Sequence, residues 1–160
     1  MRNNLKRTEL FIGVGRREPS GPERSKASAG LELQKSIFSA LTANVALTGL
    51  LGGPRVYDDV PRGEEPPYLT IGESLIRDWS TGSEAGDEHL LTLHVWSRAA
   101  GRKETQDIMG AVRTVLHDAA ISVAGHRLVN LRHEFSDARR EPDGETYHGV
   151  VRYRAVTEPV

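Results

Sequence analysis

The sequence predicts an α+β domain. Its mainly antiparallel sheet has about four to five strands, two helices pack on one face, and the C-terminal pair of strands makes a long hairpin. Three observations carry this. Apolar residues recur with helical spacing over 33–45 and 105–116. Apolar and polar residues alternate over 88–98, 127–135 and 147–155. Between the last two runs, Glu141-Pro142-Asp143-Gly144 supplies a turn in which proline presets φ and glycine takes the left-handed position.

The first helix is read from Leu31. Leu33, Ile37, Ala40, Leu41 and Asn44 fall on one stripe, which Phe38 and Val45 widen. Leu47, Leu50 and Leu51 form a short continuation. Gly52-Gly53-Pro54 stops it, because glycine permits the left-handed cap and proline cannot continue a helix. Arg55 to Asp58 is a brief extended piece and Tyr68 to Ile76 a longer one. The connection between them, VPRGEEPPY, is stiff, since each residue before a proline is pushed toward extended geometry.

Glu88 to Arg98 alternates, with His89, Leu91, Leu93, Val95 and Ser97 on one side. DWSTGSEAGDE, before and into it, is a polar loop. The second helix shows Thr105, Ile108, Met109, Val112, Val115 and Leu116 on one face, with Gly101 and Glu104 as a weak capping box. Ile121 to Val123 is a small extended piece. In the hairpin, Arg127, Val129, Leu131, His133 and Phe135 alternate against their neighbours, and Tyr147, Gly149, Val151, Tyr153 and Ala155 do the same.

Length and composition bound the function. The chain has 160 residues, enough for one domain with a real core. With 38% hydrophobic and 27% charged residues, it is globular rather than disordered in composition. It has no cysteine, which excludes disulfides, cysteine nucleophiles and thiolate zinc sites and fits a cytosolic history. No apolar run approaches the roughly 20 residues that span a bilayer, and no secretory signal is visible. Residues 1 to 30 stand apart: rich in Gly, Pro, Ser and charge, they hold seven Lys/Arg and three Glu, a net of +4. They are expected to be a flexible arm or a mis-called translation start, with residues 31 to 160 as the single domain. Those 130 residues carry a net of −5, so the body offers no broad attraction to nucleic acid.

No residue pattern commits the chain to catalysis or to a cofactor or metal. The six histidines contain neither HExxH nor His-x-His. His89 and His94 lie on opposite faces of one strand, while His133 and His148 belong to the two hairpin strands and have the chance to meet. Asp58-Asp59 and Glu64-Glu65 are adjacent carboxylates that diverge in extended chain, so neither pair is a natural acid–base dyad. They suit a solvated loop, or a neighbouring subunit's Arg139 and Arg140. Gly13-Val14-Gly15 is half of a dinucleotide fingerprint, without the third glycine or a βαβ unit. Arg132, Arg152 and Arg154 stripe the hairpin, for phosphate or for carboxylates. Trp96 suits core or interface; Trp79, in a polar loop, suits an interface.

One stretch resembles a known family. Leu33-Gln34, Ile37-Phe38, Leu41, Leu47, Leu50, Gly52-Gly53, Arg55-Val56-Tyr57-Asp58, Val60-Pro61 and Pro67-Tyr68-Leu69-Thr70-Ile71-Gly72 look like the start of the tail-terminator, or tail-completion, proteins of long-tailed phages and gene transfer agents. LTLHVWSR and the later Gly110-x-x-Arg113 extend the resemblance to about residues 31 to 156. It implies a structural α+β subunit that forms a ring, usually of six, capping the tail tube and ending its polymerisation. Its implied partners are further copies of itself, the tail tube protein, and the head–tail connector or neck protein. DNA at most passes through the ring, and no membrane, cofactor or catalytic residue is implied. Localisation would be host cytoplasm during assembly, then the particle's tail or neck. The stiff 52-to-73 segment would then face a subunit or partner, since preorganised chain loses less entropy on docking. The interface candidates are Arg55, Tyr57, Asp58, Asp59, Pro61, Tyr68, Trp79, Arg139 and Arg140. Two other classes stay open beside it. One is a small hydrolase gathering His133, His148 and a carboxylate; the other is a nucleic-acid-binding module using the basic arm.

Overall fold

The structure, a computed structural model, describes residues 28–160. The expected arm falls outside the described residues up to position 27. Helix α1 spans Ala29–Ala43 and opens on Ser28, whose side chain accepts from the Leu31 amide at 3.2 Å. Asn44 does not belong to its apolar stripe. It breaks the helix, and its side chain accepts from Leu47 N at 2.9 Å to start α2, Val45–Leu51. Leu33, Ile37, Leu41, Leu47 and Leu51 are buried, whereas Phe38 and Val45, expected to widen the stripe, face outward at 41% and 83% exposure. Gly52 closes α2 with φ 79°, the left-handed cap the sequence predicts.

Five strands follow in the sheet order β1-β2-β3-β5-β4: β1 Val56–Tyr57, β2 Tyr68–Asp78, β3 Asp87–Ser97, β4 His126–Arg140 and β5 Tyr147–Pro159. All neighbours are antiparallel except β1 and β2. Helix α3, Lys103–Leu116, lies on the face that carries Val95, Val151 and Gly149. At Gly149 a Cβ would meet Met109 Sδ at 2.6 Å, so glycine lets the helix come close to β5. One apolar core joins the helices to this face.

Three further expectations need correction. The capping box at Gly101 does not form: Arg102 precedes α3 without a side-chain cap, and Glu104 instead accepts from Ser97 Oγ at 2.7 Å. Ile121 to Val123 is no strand, only a bridge from Val123 to His126. In β4, bulges between Leu128 and Asn130 and between His133 and Phe135 break the alternation. Each bulge flips the residues beyond it to the other face. Leu128 and Leu131 therefore both point toward the helices, and Val129 and Phe135 are each 45% exposed.

Candidate functional site

The 52-to-73 segment gets its shape from contacts with itself. Arg55 donates to the Glu65 carbonyl and sits 3.5 Å from the Glu64 carboxylate. Tyr57 donates its hydroxyl to Glu64, and that bond holds the phenol above the usual tyrosine range. Tyr57 and Tyr68 meet edge to face at 5.8 Å, and Arg98 clasps Glu65 at 3.0 Å. The Pro66-Pro67 bond is cis. Arg55, Tyr57 and Tyr68 are thus half-buried and engaged within the chain, whereas Asp58, Asp59 and Pro61 face solvent on the β1 side of the sheet.

Arg139 and Arg140 stand on the opposite edge, at the end of β4. Arg139 is 59% exposed in its side chain, with Asp137 at 3.7 Å as a weak partner. Arg140 donates to the Gly144 carbonyl at 3.1 Å and leans over Tyr147. Four strand spacings separate β1 from β4, about 19 Å. The acidic pair and the basic pair therefore cannot satisfy each other within one chain. Trp79 is not part of either group. It sits past β2 at the far end of the sheet, 53% exposed, with the Arg154 guanidinium 5.0 Å above its ring.

The helix-free face carries a side-chain chain that sequence reasoning missed. Glu141 Oε1 lies 2.8 Å from His148 Nδ1, His148 Nε2 lies 2.7 Å from His94 Nδ1, and His94 Nε2 lies 3.3 Å from Glu73 Oε1. The Trp96 ring stacks on His148 at 3.9 Å and donates its indole N–H to Thr70 at 3.0 Å. Burial pushes His148 below the ordinary imidazole range, and its bond to Glu141 works against that shift. The signal available in the sequence was the shared parity of His94 and Trp96. Their partner was hidden because β3 pairs with β5, across a helix and a strand of intervening chain.

The hydrolase constellation does not form. His133 lies opposite Tyr153 and His148 opposite Arg139. Tyr153, the partner of His133, and His148 are an odd number of residues apart on β5, so the two imidazoles face opposite sides of the sheet. His133 Nε2 meets only Ser136 Oγ at 2.7 Å, in the open. His89, on the helix side, meets Thr157 Oγ1 at 2.9 Å, and burial lowers its affinity for a proton. Among the described residues no group of three or more His, Asp or Glu side chains is arranged so that it could hold a metal ion. The arginine stripe does share one face, but its members are engaged: Arg154 on Glu88, Arg132 on Asp118, and Arg152 over Phe135 and toward Thr92.

Residues 35–158 match the profile of the family described as tail completion protein gp17. The chain belongs to the gp17 tail completion family. The tail completion protein gp17 of Bacillus phage SPP1 is 28% identical over 126 residues, covering 79% of this chain and 92% of that protein. A chain in the virion of a native gene transfer agent particle superposes with a TM-score of 0.77 at 28% identity, covering 83% of this chain and 99% of that one. The structure of bacteriophage SPP1 gp17 gives 0.56 at 23% identity over 79% and 89%, a likeness that bears on the fold alone. Tail completion is a structural role, which agrees with the expectation drawn from the resemblance.

Proposed function

We propose that this chain is a particle subunit that closes into a ring, caps the tail tube, ends its polymerisation and joins the tail to the head–tail connector. The observation that carries the ring is the placement of exposed charges on opposite edges of the sheet. Asp58 and Asp59 project from one edge of the sheet, Arg139 and Arg140 from the other. Complementary patches on opposite edges make a head-to-tail contact, and such contacts close into rings when the rotation between copies is a fraction of a turn. Six copies is the number the family resemblance favours. Membership of a tail completion family, and likeness to a chain of a gene transfer agent virion, support the end of a tail as the place where the ring sits. One rim would meet the tube protein and the other the connector, with DNA passing through the opening. Assembly would take place in the host cytoplasm.

Growing tail tubes from their own tube protein, with and without this chain, tests the reading. Tubes grown with the chain are expected to stop at a limited length and to show a ring at one end by negative-stain microscopy. Tubes that lengthen equally in its presence, with bare ends, would overturn it.

A further inference from the structure

We propose that neighbouring copies of this chain meet through a stepped joint, in which the bare half of β4 in one copy pairs antiparallel with β1 of the next. This rests on the ring reading above and assigns its contact surface. The argument starts from strand direction. β2, β3, β5 and β4 alternate in direction, and β1 runs with β2. A second copy set alongside in the same orientation therefore brings β1 and β2 antiparallel to the first copy's β4.

The two edges have complementary outlines. At one level across the sheet lie Val56, Leu69, Val95, Gly149 and Ala138. There β1 is an extra strand on one edge, while on the other edge residues 134–140, whose inner side faces β5, have no backbone partner on their outer side among the described residues. About 20 Å further along the strands lie Ile76, His89, Ala155 and Leu131. At that level β1 is gone and, among the described residues, β2 is the outermost strand. On the opposite edge β4 is covered: Asp118 N donates to the Leu131 carbonyl at 2.8 Å, and His133 N donates to His117 Nδ1 at 3.0 Å. One edge projects where the other recedes, at both levels.

The side chains agree with the outlines. Leu75 and Ile76, 54% and 46% exposed, line the recess outside β2, where a neighbour's residues 117–121 would sit. Phe135, 45% exposed, belongs to the bare stretch of β4, with the Arg152 guanidinium 5.5 Å from its ring centre. Asp58 and Asp59 directly follow β1 and, at matched levels, come beside Ser136 and Phe135, while Arg139 and Arg140 end the bare stretch of β4 about 10–17 Å further along the strand. A bare edge strand is itself a template for pairing with another chain, and a second copy of this one supplies the matching strand.

The absence of cysteine makes the joint directly testable. A chain carrying Asp59→Cys and Asp137→Cys, treated with a short bis-maleimide, is expected to give a ladder of covalent multimers on a denaturing gel. Neither single-cysteine chain should rise above a dimer. Leu75→Cys with Ala120→Cys repeats the test at the lower step with different side chains. Light scattering on the same samples, alone and mixed with tail tubes, reports association independently. Closed multimers without a ladder from either pair overturn the joint and leave the ring standing. A chain that stays single, alone and with tubes, overturns both.

Discussion

Reversing charge on one edge at a time offers a sharp test of a head-to-tail assembly. Changing Asp58 and Asp59 to lysine makes both edges positive, and changing Arg139 and Arg140 to glutamate makes both negative. The groups are exposed, and Arg139 has only a 3.7 Å internal partner to lose, so surface-pair energies apply. Such pairs are worth about 0.2–1 kcal/mol each. Losing two and substituting like-charge contacts of similar size costs about 1–3 kcal/mol per interface. That is roughly a 5- to 150-fold drop in each association constant. The effect should shrink as salt is added, because exposed charges are screened. Either variant alone is expected to fail to assemble in sedimentation velocity at a concentration where the parent does. A chain carrying all four reversals should assemble again. So should an equal mixture of the two variants, by alternating around a ring of even number. Parent-like assembly by either singly reversed chain refutes the reasoning, as does a mixture that stays dispersed.

Three further outcomes follow from the core and the turns. Gly149→Val drives side-chain atoms into Met109 and Thr105, and urea unfolding should show a loss of about 1–3 kcal/mol, as for other overpacked cores. Leu33→Ala, at a fully buried position on α1, should cost about 2–5 kcal/mol in the same assay. Asp143 accepts from Glu145 N, Thr146 N and Thr146 Oγ, which pulls its carboxyl down to about 2. A depressed carboxyl stabilises the fold fully above its unfolded value of about 3.9 and loses that contribution as pH falls toward the folded value. The urea midpoint should therefore decline between about pH 4 and pH 2 in the parent and decline less in Asp143→Asn.

What could be read from the sequence was whatever local spacing encodes. The buried stripes of α1 and α3, the alternation of β3 and β5, and the Pro-Asp-Gly turn stand where their periodicity puts them. Asn44 was misread because a polar residue at a stripe position and a helix N-cap look alike in a linear pattern. The β4 bulges were invisible because an extra residue changes the parity of everything after it, and only the pairing partner reveals it. Asp58, Asp59, Arg139 and Arg140, the charged pairs of the proposed contact, could be picked out residue by residue. Their separation to opposite edges could not, since it depends on β5 inserting between β3 and β4. Trp79, singled out for its place in a polar loop, lies at the other end of the sheet.

The four-group run from Glu141 through His148 and His94 to Glu73 bears on mechanics. It crosses three strands and ties the last turn of the chain to the irregularity in β2. Sheets resist stretching along their strands but shear more readily between them, and a lateral brace of this kind opposes that sliding. In the ring proposed above, each subunit would bear load from both directions. Within each, the brace would make two rims that lie strands apart move as one.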